Sequence, residues 1–253
     1  MQTLLVSKKD GIGRIQFHRP EVRNAVNLQM MTELEQVIAE WERDPELKVI
    51  VFSGDERVFV SGGDVREFHQ RETKEEIYPI MSRMGRLLER IDQLDCLTIA
   101  AVEGIAVGGG CEIVTSCDLC LASEKAQFGF IQVHLHITTG WGGAGRLFRK
   151  LGAGQALSLL LTGERISARE AYELQLVDRL YPADRFNEEV EMFVKQVASV
   201  PGKVIQTYKQ IAKMGRNYPS TYQMEAESCS ELWESPEHRQ QVEAFLKRTG
   251  RSS

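Results

Sequence analysis

The run LTIAAVEGIAVGGGCEIV, residues 97–114, joins two patterns that rarely meet by chance. Leu97 to Val102 is apolar or β-branched, too short for a helix and closed by Glu103-Gly104, so it reads as a buried strand. Gly108-Gly109-Gly110 then opens an apolar helix carrying Cys111, Glu112, Ile113 and Val114. Glycine admits positive φ and close backbone approach, so N–H groups can turn inward. The first turn of a helix adds unpaired donors and the positive end of the dipole. A strand feeding such a turn is expected in an α/β core and offers a place for an oxygen that becomes negative during a reaction.

Outward from this run the same alternation recurs. Leu28, Met31, Leu34, Ile38 and Trp41 fall at helical spacing, and Val49 to Phe52 reads as a buried strand. Ile77, Ile80, Met81, Met84, Leu87, Leu88 and Ile91 form a second helical stripe before Leu97, and Leu119 to Ala122 is a further strand. Thr3 to Ser7 and Gly13 to His18 read as a hairpin around Asp10-Gly11. From about Ala153 no comparably strong strand is read. Helical patterns hold Ala168 to Leu174, Arg185 to Val200, Lys203 to Met214 and Glu237 to Lys247. The fold class is therefore α/β, with open sheet, barrel and spiral all compatible with the alternation.

A second glycine cluster, Ser61-Gly62-Gly63-Asp64, follows the strand-like Val58 to Val60. Each cluster alone could be a simple turn. A phosphate cradle is the rival reading, but neither G-x-x-x-x-G-K-[ST] nor a G-x-G-x-x-G opening a helix after the first strand is present. Glu112, one turn into the glycine-opened helix, can serve as acid or base beside a bound ligand, or can merely favour the helix dipole.

Composition narrows the classes. The 253 residues, 42% hydrophobic, suffice for a full core, and the formal net charge of −5 is not segregated into a basic stripe, which argues against nucleic acid. No apolar stretch approaches the roughly 20 residues of a bilayer helix, so no membrane span is expected. No secretory signal is read at the start, and a cytoplasmic location is expected. Five cysteines fit a reducing compartment, and Cys117-x-x-Cys120 sits among apolar residues as core thiols rather than a metal or redox pair.

The ordered motifs carry a resemblance. Ile99 to Gly104, Val107 to Glu112, Cys117-Asp118 and Ala122-x-x-x-Ala126-x-Phe128-Gly129 resemble the signature of the enoyl-CoA hydratase/isomerase (crotonase) family. Arg19-Pro-Glu21 with Arg23-Asn-Ala25, Phe59 to Asp64, Gly142-Gly143 with Arg146-Leu147, Leu161-Thr-Gly163 with Ile166-Ser-Ala168, Leu176-Val177 and Ser235 to Arg239 follow in family order. The resemblance covers almost the whole chain. It implies a spiral of β-β-α turns over residues 1–195, a helical oligomerisation region over 196–253, a homotrimer or homohexamer, and an acyl-CoA thioester as substrate with no further cofactor and no metal. Carried over by residue, it implies an oxyanion hole from the N–H groups of Gly63 and Gly109, Glu112 as acid or base, and CoA contacts along Val22, Arg23 and Ala25. Asp64, Val65 and Arg66 would flank the oxyanion loop, with Trp141 and His136 near the acyl group and Arg248 or Lys247 near a CoA phosphate.

The chain also departs from the pattern. Hydratases of the family carry a second glutamate after Ala-x-Phe-Gly, where this chain has Gln132. An amide orients a water or a carboxylate but exchanges no proton near neutral pH. Thr138-Thr-Gly-Trp141 replaces a proline-containing turn, and Trp141-Gly-Gly143 resembles the ethylmalonyl-CoA decarboxylase branch. Three readings follow: hydratase or isomerase, alkylmalonyl-CoA decarboxylase, and non-catalytic acyl-CoA-binding subunit. His134 and His136 would point the same way only in a strand and have no carboxylate or cysteine beside them, so they read as pocket-lining or proton-carrying groups, as does His69. The charged segment 70–78 is expected to form a mobile pocket wall.

Overall fold

The computed structural model describes residues 1–214 and 221–249. Strands β1 (Leu4–Lys9) and β2 (Ile12–Phe17) form an antiparallel hairpin. Asp10 and Gly11 both take positive φ, 53° and 76°, the backbone of a tight hairpin turn that matches strand twist. A 3-10 turn at Pro20–Val22 leads to α1 (Leu28–Trp41), whose first turn is capped by the Asn27 side chain accepting from Met30 N–H.

The next elements come in sets. Strands β3 (Val49–Ser53) and β4 (Val58–Val60) precede α2 (Val65–Phe68) and α3 (Lys74–Gln93). Strands β5 (Leu97–Val102) and β6 (Ile105–Val107) precede α4 (Gly109–Ser116). Strands β7 (Leu119–Ser123) and β8 (Gln127–Gly129) precede a 3-10 helix at Ile131–Leu135, then α5 (Gly143–Leu151) and α6 (Ala153–Thr162). In each set the first strand joins one sheet, ordered β1-β2-β3-β5-β7 with a later strand beyond, and the second joins another, ordered β4-β6-β8. Neighbours from successive sets run parallel. The chain therefore winds as a spiral of strand-strand-helix turns.

Burial explains why the central strands lack polar alternation. Ile50, Phe52, Ala100, Val102, Cys120 and Ala122 face the main core beneath the helices. Their neighbours Val49, Val51, Ile99, Ala101 and Leu121 face a second core closed by Phe186, Val190 and Val194. Those three belong to α8 (Phe186–Ala198), which follows β9 (Ile166–Ser167), α7 (Ala168–Glu173) and β10 (Arg179–Tyr181).

Beyond Ala153 the chain is mostly helical, as expected, and two short strands, β9 and β10, are added to it. β9 pairs antiparallel with β8 and β10 parallel with β7, each at an outer edge. Two- and three-residue edge strands are too short to leave a periodic pattern. The remaining helices are α9 (Gly202–Met214), α10 (Tyr222–Trp233) and α11 (Pro236–Thr249). Helix α10 lies along α3, and Gly85 permits the approach: a Cβ there would sit 2.9 Å from the Tyr222 ring. The C-terminal helices thus fold over the chain's own core. Among the described residues no helix is long and apolar enough to cross a membrane.

Candidate active site

The two glycine loops meet. Val26 bridges to Gly63, with its N–H donating to Gly62 O while Asp64 N–H donates to Val26 O. Gly62 has φ 110°, and a Cβ built there would lie 3.5 Å from Gly109 N. Gly108, at φ 56° and ψ −122°, turns the chain from β6 into α4. Only glycine adopts these two conformations freely. The N–H of Gly109 is the first of α4 and that of Gly63 faces away from the Val26 bridge. Among the described residues neither has a protein acceptor.

Both loops open on a cavity of about 510 Å³ lined mainly by apolar groups. Its walls include Val65, Phe68, Met81, Ile131 and Trp141, and α10 and α11 contribute Cys229, Trp233, Phe245 and Arg248. The Trp141 indole rests directly on the glycine backbone: a Cβ on Gly109 would fall 2.0 Å from Trp141 Cζ3, and one on Gly63 3.5 Å from Cζ2.

Glu112 is 2% exposed and also lines the cavity. One turn into α4, its Oε2 accepts from the N–H groups of Trp141 and Gly143, both at 2.9 Å. Its Oε1 accepts from Gln132 Nε2 at 3.0 Å. Gly143 is required here, because a Cβ would overlap the Glu112 side chain at 2.4 Å. Burial pushes the Glu112 pKa up and Glu225 on α10 pushes it further, while Arg146 and the two N–H groups pull it down; the balance is about 7. A carboxyl group so placed exchanges protons readily near neutral pH. Gln132 Oε1 is buried without a hydrogen-bond partner among the described residues.

The residues expected to be catalytic, Glu112, Gly63, Gly109 and Gln132, therefore converge on one cavity. Of the expected substrate contacts, Val65, Trp141 and Arg248 line it as well. The segment Val22, Arg23, Ala25 lies beside the Ser61-Gly62-Gly63 loop, where Ser61 N–H donates to Arg23 O. Asp64 is occupied: its Oδ1 caps α2 by accepting from Glu67 N–H, and its Oδ2 pairs with Arg19 at 2.9 Å. Arg66, His69 and His136 stand outside the cavity lining, and Lys247 is exposed, 3.7 Å from Glu243.

Two expectations are corrected. His134 and His136, both expected to line the pocket or carry a proton, part company on the 3-10 helix and its left-handed C-cap: His134 lines the cavity with Nε2 3.0 Å from Gly163 O, whereas His136 does not reach it. Segment 70–78 does not form the wall; Lys74 onward is α3, begun by a capping box between Thr73 and Glu76, and the wall is made by Phe68 and Met81. Among the described residues no group of three His, Cys, Asp or Glu is placed to hold a metal ion. Cys117 and Cys120 are buried, and burial pushes both thiols well above the usual range.

Sequence reasoning missed Arg165, just before Ile166-Ser-Ala168, and the whole contribution of α10. Glu225, Cys229 and Trp233 recur at helical spacing of four residues, which was the available signal.

Comparison with known proteins places this geometry. A profile of the enoyl-CoA hydratase/isomerase family matches residues 7–250. The short-chain-enoyl-CoA hydratase of Clostridium acetobutylicum is 32% identical over 253 residues, covering 98% of this chain and 96% of that protein. Among solved structures, an enoyl-CoA hydratase from Mycobacterium avium subsp. paratuberculosis superposes with a TM-score of 0.89 at 26% identity, over 96% of this chain and 98% of that one. An enoyl-CoA hydratase from Bacillus anthracis gives 0.82 at 27% identity, over 98% and 97%. With its spiral fold and nearly full-length match, the chain belongs to the enoyl-CoA hydratase/isomerase family.

Proposed function

We propose that this chain is an acyl-CoA-transforming enzyme in which the N–H groups of Gly63 and Gly109 stabilise the enolate of a CoA thioester and Glu112 moves a proton at the carbon beside the carbonyl. The observation that carries the reading is the buried Glu112 carboxyl, on the helix that Gly109 opens and on the wall of the same apolar cavity. Removing water from that cavity strengthens the two N–H donors, and one such donor is worth about 10²–10³ in rate.

Hydration or isomerisation of a 2-enoyl-CoA is the reaction class the family suggests. Within it, Gln132 favours steps that need one acid–base group. Double-bond migration does: Glu112 takes a proton from one carbon, the enolate forms, and the same carboxyl returns a proton two carbons away. Hydration with two carboxyls is disfavoured, since Gln132 transfers no proton and already donates to Glu112.

A second reading, alkylmalonyl-CoA decarboxylation, rests on the same Gln132–Glu112 pair together with Trp141-Gly-Gly143. Loss of carbon dioxide leaves the enolate, and Glu112, near half-protonated at neutral pH, supplies the proton. Retention of Glu112 beside two unpaired glycine N–H groups argues against a third reading, the non-catalytic acyl-CoA-binding subunit. Val22, Arg23, Ala25, Asp64, Val65, Arg66, Trp141 and Arg248 are assigned to the CoA and acyl contacts, in a homotrimer or homohexamer located in the cytoplasm, with no cofactor beyond the CoA of the substrate.

The test is to offer purified protein crotonyl-CoA, 3-hexenoyl-CoA and ethylmalonyl-CoA separately, following mass and ultraviolet absorbance. Conjugation of 3-hexenoyl-CoA supports isomerisation, and carbon dioxide loss from ethylmalonyl-CoA supports decarboxylation. Hydration of crotonyl-CoA faster than either reaction overturns the one-carboxyl account.

A further inference from the structure

Glu225 stands outside the cavity lining, on α10, yet its carboxylate is bound more fully than any surface glutamate. It is 6% exposed. Its Oε2 accepts from Thr139 Oγ1 at 2.5 Å and from Ala144 N–H at 3.1 Å. Its Oε1 accepts from Gly145 N–H at 2.9 Å and from Thr221 Oγ1 at 2.7 Å. Glycine at 145 is needed for this, since a Cβ would overlap Thr221 Oγ1 at 1.9 Å.

These bonds fall on the stretch that holds Glu112. Thr139 and Ala144 bracket Trp141 and Gly143, whose N–H groups both donate to Glu112 Oε2. The N-terminal turn of α5 is thus gripped by two buried carboxylates: Glu112 from α4 takes the N–H groups at 141 and 143, and Glu225 from α10 takes those at 144 and 145. Trp141, between the two grips, is also the side chain resting on Gly109 and Gly63. One short segment therefore sets the carboxyl and braces the oxyanion loops, and α10 anchors that segment.

We propose that Glu225 is a positioning residue of the active site, fixing residues 139–145 so that Glu112 and the Gly63 and Gly109 N–H groups keep their mutual geometry. The inference rests on the assignment of Glu112 as the proton carrier, and extends it to a residue that does not touch substrate.

Charge supports the geometry. The ionisable groups around Glu112 are Arg146 of α5, Glu225 and Cys229 of α10, and Cys111 of its own helix. Burial pushes the Cys111 thiol up to about 12 and the Cys229 thiol well above its usual range, so both are neutral. One guanidinium then faces two carboxyl groups. Arg146 is itself buried, donates to Trp141 O at 2.6 Å, and forms no ion pair with either acid among the described residues. Burial, and then the neighbouring Glu225, hold the Glu112 pKa at about 7.

The test needs no substrate, so its failure is separable from failure of the proposed reaction. Isotope-edited infrared titration of the Glu112 carboxyl, with Glu112→Gln as the blank, is run on the full chain and on Glu225→Gln. The expected result is a Glu112 midpoint shifted to lower pH in Glu225→Gln, since the variant removes a negative charge while one amide oxygen remains to accept. Folded Glu225→Gln with the wild-type midpoint overturns the proposal. Thr139→Val keeps the charge and removes one anchor, and decides the matter should Glu225→Gln not fold. Amide hydrogen exchange at residues 141–145 is then expected to accelerate several-fold while α1 and α3 exchange as in wild type. Unchanged exchange at 141–145 overturns the proposal.

Discussion

Replacing Glu112 with Gln removes a carboxyl held at about 7 against an ordinary value of 4.5. A folded-state pKa above the unfolded one means that the native protein binds this proton more tightly. The stability it contributes is full below pH 4.5 and is lost as pH rises through 7, opposite to an ion-paired carboxylate. The 2.5-unit gap between those two values, at about 1.4 kcal/mol per unit, amounts to about 3 kcal/mol lost by wild type across that window. Glutamine does not titrate. It can keep the two N–H bonds from Trp141 and Gly143 on its oxygen and donate to the Gln132 oxygen, which has no partner in wild type, once that amide turns over. Urea unfolding of both proteins at pH 5 and pH 8.5 is expected to show Glu112→Gln gaining on wild type by about 2–3 kcal/mol at the higher pH, while its turnover collapses. A wild-type-minus-variant difference that is the same at both pH values would refute the account of Glu112 as a buried, partly protonated acid.

Gly109→Ala places a methyl 2.0 Å from Trp141 Cζ3, so the indole or the first turn of α4 must move; kcat should fall by about 10² or more, with stability lowered by about 1–3 kcal/mol in the same protein by thermal melt. Gln132→Glu sets a second carboxyl beside Glu112 Oε1, and like charge should push the Glu112 pKa further up and raise crotonyl-CoA hydration relative to isomerisation or decarboxylation, read from product ratios. Lys209, 6% exposed and bonded to Asp118 at 2.7 Å and to Cys96 O at 2.8 Å, ties α9 to the strands; Lys209→Met takes the cation from the half-buried Asp118, which keeps its two bonds from Thr98, and should cost about 1–3 kcal/mol in urea unfolding without altering the Glu112 midpoint. Glu33 accepts four hydrogen bonds from Gln2, Thr3 and Gln29, which outweigh the upward push of burial and hold its pKa at about 2. Its contribution is present above pH 4.5 and lost as pH falls toward 2, so Glu33→Gln should flatten the acid limb of stability.

The strands and helices with strong apolar runs were legible in the sequence. Leu28–Trp41 and Leu97–Val102 occupy the expected residues, and the glycine-opened helix begins at Gly109. The glycine clusters were legible as places of close backbone approach, and Glu112 as a candidate chiefly through the family motifs; the packing explains the glycines, since Trp141 on Gly109 and Glu112 on Gly143 leave no room for a side chain. What stayed hidden was long-range. β9 and β10 are defined by pairing with β8 and β7, not by their own residues. Helix α5 carries glycines at 143 and 145 that weaken a helical reading, and they are there to admit Glu112 and Thr221. His136 looked like a pocket residue because its side-chain chemistry suited one, but a left-handed cap at φ 56° turns the chain away. No spacing rule links Glu225 to Thr139 and Ala144, since their meeting depends on α10 folding back along α3.

The most direct test of the central claim asks for proton transfer alone, whatever the natural substrate. Butyryl-CoA, a saturated thioester, is incubated with the protein in deuterium oxide and deuterium at the carbon beside the carbonyl is followed by mass spectrometry. Wild type is expected to wash deuterium into that position, with Glu112→Gln and Gly109→Ala slowed by at least about 10². No exchange in wild type, or undiminished exchange in Glu112→Gln, would contradict the assignment of Glu112 and the glycine N–H groups.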